Sequence, residues 1–290
     1  MNPIICRLLT AFIVNKKKRK QFRAKHLKER NWDILSLYNY CYFNEFSKIY
    51  HTKIFEKYRD LYRDKEVVLF ATGPTARYFT TINNAINVGI NYAFLKEDIS
   101  FDYIFVHDAI VMKTHKDSLM RTKAKKFLGF HVNMHNAEMF NTCSRDVCDV
   151  GADRFFISDP TYNYLGNDIP DVVNPDITKG LFLDRGGGTV FSALQFVLFT
   201  NPKRIYLVGC DCTEVGHFYN IGEKNINLLP NTMHLWKEFS YIKKSLYPDV
   251  EVVSINPVGL KSVFKDVYTH SYVNEHPYLN DENVEIIDAD

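Results

Sequence analysis

Gly186-Gly187-Gly188-Thr189 is the run in this chain of 290 residues whose composition most invites chemistry. Three glycines let backbone approach a ligand closely, and a threonine hydroxyl can cap the apolar helix that residues 190–200 are expected to form. A helix start offers unpaired N–H groups to an anion, so Gly187, Gly188 and Thr189 are expected to touch a ligand. Thr72-Gly73-Pro74-Thr75 is a second such turn, placed directly after the apolar run 67–71. Its amides are expected to face phosphate or ribose. Neither run is a G-x-G-x-x-G fingerprint or a G-x-x-x-x-G-K-[ST] loop, so dinucleotide oxidoreductases and P-loop ATPases lose support.

Asp211 follows the apolar run 204–208 and leads into Thr213, Glu214, His217 and Tyr219. An acid there can bind a ribose or sugar hydroxyl, hold a metal, or cap a helix. Two of the ten histidines lie nearby in the reading: His217 in the loop after Asp211, and His234 at the start of a helix after the polar segment 225–232. Imidazole deprotonates an attacking hydroxyl near neutral pH without tuning. Asn91 and Asp108 close two further apolar runs. No D-x-D follows a strand in the body of the chain, so no metal site is assigned. Cys210 and Cys212 flank Asp211 with the wrong spacing for zinc, and all six cysteines read as reduced thiols.

The elements that would position these residues alternate. Apolar runs at 67–71, 85–92, 101–106, 125–132, 154–157, 204–208 and 250–255 are separated by helical or polar segments. That rhythm predicts an α/β, Rossmann-like domain with a mostly parallel sheet and helices on both faces. In such sheets ligands bind beyond the carboxyl ends of the strands, at the point where strand order reverses.

Residues 1–63 read differently, as a basic and aromatic helical arm ahead of a catalytic domain over 64–290. Nine Lys or Arg and one acid, Glu29, lie within residues 16–30, leaving 27 of the 36 basic residues against 33 of the 34 acids elsewhere. The remainder, at −6, argues against a nucleic-acid partner. An apolar segment at 4–14 beside that basic block suits an anionic bilayer surface, so residues 1–30 are expected to contact the inner face of a membrane, with a plain solvated helix and a nucleic-acid tail as the other readings of the same stretch. The charge order is wrong for a secretory signal, and cytoplasmic residence is expected.

Residues 187–195 (GGTVFSALQ) and 203–211 (KRIYLVGCD) resemble the central stretch of a bacterial family described as 6-hydroxymethylpterin pyrophosphokinase-like. That family includes the motility-associated factors that glycosylate flagellin. Gly73-Pro74-Thr75, His217-Phe218-Tyr219 and residues 256–260 follow its order, over roughly residues 67–268. The same skeleton is similar to the bacterial lipooligosaccharide sialyltransferases, which use CMP-sialic acid. The resemblance implies that residues 72–75, Asn91, Gly188 and Thr189 hold the nucleotide, that Tyr219 faces the departing phosphate, and that His234 is the base. Asp108 stands where that family has an asparagine, and Thr213 where it has a tyrosine.

The expectation is a glycosyltransferase moving a sugar, of the acidic nonulosonate type, from a CMP-linked donor to a cell-surface glycan acceptor. No cofactor is required, and Mg²⁺ is not essential. Two alternatives stand beside it. One is an ATP-dependent diphosphokinase using Mg²⁺ on Asp108, Asp211 and Glu214, and the other is a non-catalytic nucleotide- or glycan-binding protein.

Overall fold

The structure, a computed structural model, describes residues 34–133, 138–140, 149–159, 173–183, 188–224, 229–282 and 284–289, together with residues 11, 15 and 18. The glycine Gly187 and nearly all of residues 1–30 lie outside the described residues.

The apolar runs become strands buried on both sides. In β1 (Glu66–Phe70), Val67 and Leu69 enter one core while Val68 and Phe70 enter another, all four without exposure. A strand covered on both faces cannot alternate with polar residues, which is why these runs are continuous. The strands β2 (Ile86–Ile90) and β3 (Tyr103–Val106) follow, then the short helices α2 (Ala109–Thr114) and α3 (Lys116–Arg121). Next come β4 (Lys125–Asn133), β5 (Glu138–Phe140), β6 (Arg154–Asp159) and β7 (Phe182–Leu183). The second half holds β8 (Arg204–Val208), β9 (Val215–His217), β10 (Asn220–Lys224), β11 (Glu251–Ile255), β12 (Lys265–Thr269) and β13 (Ile286–Ile287).

Ten strands pair in parallel in the order β13-β12-β11-β8-β1-β2-β3-β4-β6-β7, with β5 antiparallel on β4. The ribbon β9–β10 is a separate antiparallel pair. The fold is thus α/β and Rossmann-like. From β1 the chain lays strands outward in one direction as far as β7. It then returns so that β8 pairs with β1 on its other side, Val68 opposite Tyr206. Strand order reverses between β1 and β8, so the loops leaving these two strands diverge and open a crevice.

The return is made by the helix Thr189–Phe199, whose eleven residues are all buried. It runs across the sheet and needs no polar face. Its one amide, Gln195, is fully satisfied: Oε1 accepts from Asn174 N (3.1 Å) and Leu183 N (2.9 Å), and Nε2 donates to Leu183 O and Phe191 O (both 2.8 Å). Gln195 thereby ties the edge strand β7 to the crossing helix.

An aromatic-rich helix, Ile34–Phe55, precedes β1. The expected division at residue 63 does not divide the core. Phe55 is without exposure and packs on Phe127, Phe182 and Phe196, with Tyr58 beside it. His51, also fully buried, links the helix to β6, its Nε2 accepting from Ile157 N at 3.0 Å. In chain order this helix is α1 and the crossing helix is α4. The helix Leu229–Leu246 is α5 and His270–Glu275 is α6.

Candidate functional site

The crevice at the β1/β8 divergence is a cavity of about 210 Å³. Its walls are Ala71 to Pro74 after β1, Ile90 and Asn91 after β2, Gly188 to Val190 at the start of α4, and Gly209 to Thr213 after β8. Val215, Gly216 and His217 of β9 and Thr232 and Trp236 of α5 complete it. Of the residues singled out in the sequence, Thr72, Gly73, Pro74, Asn91, Gly188, Thr189, Asp211, Thr213 and His217 come together here.

Each wall has a local cause. Gly73 must be glycine because a Cβ would stand 2.4 Å from Gly209 O and 2.5 Å from Asp211 Oδ2. Asn91 sits at φ 45°, a left-handed conformation that asparagine tolerates. Its Oδ1 accepts from His107 N (3.1 Å) and Thr189 Oγ1 (3.2 Å), pinning the tip of β3 to the start of α4. Gly188 precedes α4 at φ 70°, with open space where a side chain would stand.

The turn after β1 differs from its expected role. From Gly73 on its amides are already paired: Gly73 N donates to Gly209 O (2.8 Å), Thr75 N to Asp211 Oδ2 (2.8 Å), and Ala76 N to Gly73 O (3.1 Å). Proline has no N–H. Thr75 is buried behind the wall, its hydroxyl also donating to Asp211. The turn is spent on holding Asp211. The anion-seat geometry lies instead at α4, where the N–H groups of Thr189 and Val190 precede the helical ladder and have no acceptor among the described residues.

Asp211 is buried, and that burial pushes its carboxyl up to about 6 against the two bonds from Thr75. Burial also pushes the Cys212 thiol up to about 12 and the Cys210 thiol well above its usual range, so neither is a thiolate at neutral pH. Cys41, Cys210 and Cys212 are free thiols. Among the described lining residues none is Lys or Arg, and Asp211 is the single carboxylate.

His217 Nδ1 stands 3.0 Å from Thr72 Oγ1, and Phe218 N donates to Thr72 O (3.0 Å), which docks β9 against the turn. Tyr219 does not line the cavity. Its ring stacks on His217 at 5.1 Å and 9°, and lies 4.9 Å from Tyr92. Tyr219 therefore fixes the imidazole plane from outside.

His234 and Asp108 stand apart from the cavity. Thr232 and Trp236, four residues apart on α5, share its inner face, which turns His234 between them outward. Its ring is 61% exposed and 3.9 Å from Glu238. Asp108 caps α2 by accepting from Ile110 N at 2.8 Å. Trp236, which the sequence reading passed over, is 1% exposed and packs on Phe191 at 4.8 Å. The signal was present: a tryptophan in a mixed helix marks the inward face. Among the described residues no group of three His, Cys, Asp or Glu side chains converges, and no helix is long and apolar enough to cross a membrane.

No protein-family model matches the chain. A search of curated proteins finds no match either. The functional reading therefore rests on the cavity and on the residues that line it.

Proposed function

We propose that the chain is a glycosyltransferase that takes a sugar from a CMP-linked donor seated at the β1/β8 crevice. One observation carries the reading: the N–H groups of Thr189 and Val190 at the start of α4 have no acceptor among the described residues and border a cavity whose described walls hold no Lys or Arg, which supports a phosphate seat there. Such a seat suits the single negative charge of a phosphodiester. A nucleoside triphosphate asks for several cationic partners, which is the ground for preferring the transferase to the diphosphokinase.

In this reading Asn91, Gly188 and Thr189 hold the nucleotide and its phosphate, and Gly73, Pro74 and Thr213 shape the walls. His217, the imidazole inside the cavity, takes the proton of the acceptor hydroxyl in place of His234. Thr72 and Tyr219 orient that ring. The acceptor is a cell-surface glycan under assembly, and residues 1–30 hold the protein at the cytoplasmic face of the membrane.

The test is a thermal-shift panel of CMP, UDP, GDP and ATP with and without Mg²⁺, followed by turnover of the preferred donor. A ligand at 100 times its Kd stabilises by about 2.7 kcal/mol, so CMP is expected to raise the melting temperature most, without metal. His217→Ala is expected to lower transfer about 10²–10⁴-fold while the CMP shift persists. A preference for ATP with Mg²⁺ refutes the transferase, and full turnover in the variant removes His217 from the reaction.

A further inference from the structure

Helix α1 is apolar on two opposite sides, and the fold uses only one of them. Phe43, Ile54 and Phe55 turn inward and are at most 6% exposed. On the outer side Tyr38 is 65%, Tyr42 55%, Phe46 40% and Ile49 77% exposed. Spacings of four, four and three residues put these four side chains in one line along the helix. An exposed, aligned row of large apolar side chains marks where a further partner sits.

We propose that this outer row of α1 seats the protein on an anionic lipid bilayer, with its rings in the interfacial layer. The chain immediately before α1 supplies the charge complementarity, nine Lys or Arg against one acid in residues 16–30, while the rest of the protein is net negative. By net charge this stretch of the chain, and not the remainder taken as a whole, is drawn to an anionic surface. Tyrosine hydroxyls beside aromatic bodies suit the headgroup boundary better than a dry protein interface. The one acid along the row, Glu45, is paired with Lys48 and does not add a bare negative charge. The row is also narrow. Four side chains over about three turns cover far less than the roughly 800 Å² per partner of a stable dimer. This contact extends the membrane role proposed for residues 1–30 to a defined surface, and it stands whether or not the crevice transfers sugar.

The test is co-sedimentation of the full chain with phosphatidylcholine vesicles and with vesicles carrying about 30% phosphatidylglycerol, at about 0.1 M salt. Binding is expected to the anionic vesicles alone. The combined variant Tyr38→Ser, Tyr42→Ser, Phe46→Ser and Ile49→Ser is expected to lower partitioning at least about 10-fold with an unchanged melting temperature. In Tyr42→Trp, brominated lipid is expected to quench the new tryptophan. Three results overturn the proposal. The first is no binding, or equal partitioning of the serine variant. The second is a wild-type dimer by light scattering that the serine variant dissolves. The third is a lowered melting temperature in the serine variant, which would mean that the protein itself covers the row.

Discussion

At the scale of single residues, Asp211 is the group whose environment most alters its chemistry. Burial holds its carboxyl at about 6, while an exposed aspartate titrates near 4. Because the folded value is the higher one, the folded protein keeps the proton between those two pH values when the unfolded chain has lost it. Stability from this group therefore falls as pH rises through that window. The same ionisation places a negative charge, held by the two bonds from Thr75, at the wall of the crevice, where it opposes a bound phosphodiester. A CMP-linked sugar, which does not titrate in this range, is expected to bind roughly 10-fold tighter at pH 5 than at pH 7.5 by calorimetry. Asp211→Asn is expected to flatten most of that dependence, and a slope that survives in full would assign it to other groups.

At the scale of elements, α1 is fastened by a histidine that can be only neutral. His51 Nδ1–H donates to Gly180 O (2.9 Å), and its Nε2 accepts from Ile157 N (3.0 Å), so no site remains for a second proton. Burial pushes the group down to about 4. Here the folded value is the lower one: the contribution is complete above about 6.5 and is lost as pH falls toward 4, by about 3 kcal/mol in all. His131, also pushed down to about 4 by burial, acts in the same direction. Thermal melting is expected to fall between pH 7.5 and pH 5. His51→Leu is expected to melt lower at pH 7.5 and to lose less over that range. An equal slope in the variant would place the acid sensitivity at the other histidines.

At the scale of the whole molecule, the crevice exists because strand order reverses, and the reversal is secured by a crossing helix with no polar face. That helix needs cover on its outer side, which α1, the turn Glu56–Tyr58 after it and α5 supply through Phe55, Tyr58 and Trp236. A chain beginning at residue 64 is therefore expected not to fold. It would lose Ile54, Phe55 and Tyr58 from the core, at about 3–5 kcal/mol for a phenylalanine alone, against a typical total of 5–15 kcal/mol. Circular dichroism and melting of this truncation decide the point; a cooperative transition would show that α1 is dispensable.

The rhythm of apolar runs was enough to predict the parallel sheet and the location of a crevice at its strand tips, because a doubly covered strand writes its burial into consecutive residues. Asn91 and Asp211 were legible because each sits where such a run stops, and Gly188 and Thr189 because a glycine run there opens an apolar helix. What one dimension could not show was how the hydrogen bonds would be shared. Gly73, Thr75 and Asp211 look like three ligand-facing groups in sequence, yet across 136 positions Thr75 and Asp211 satisfy each other. His234 and His217 are equally good bases on paper. The rotation of α5 about its axis, set by Trp236 packing on Phe191, turns one out to solvent, while Thr72 and Tyr219 hold the other at the cavity. Local burial patterns are encoded locally. Which donors are spent and which side chains face a cavity is decided only when segments distant in the chain compete for the same partners.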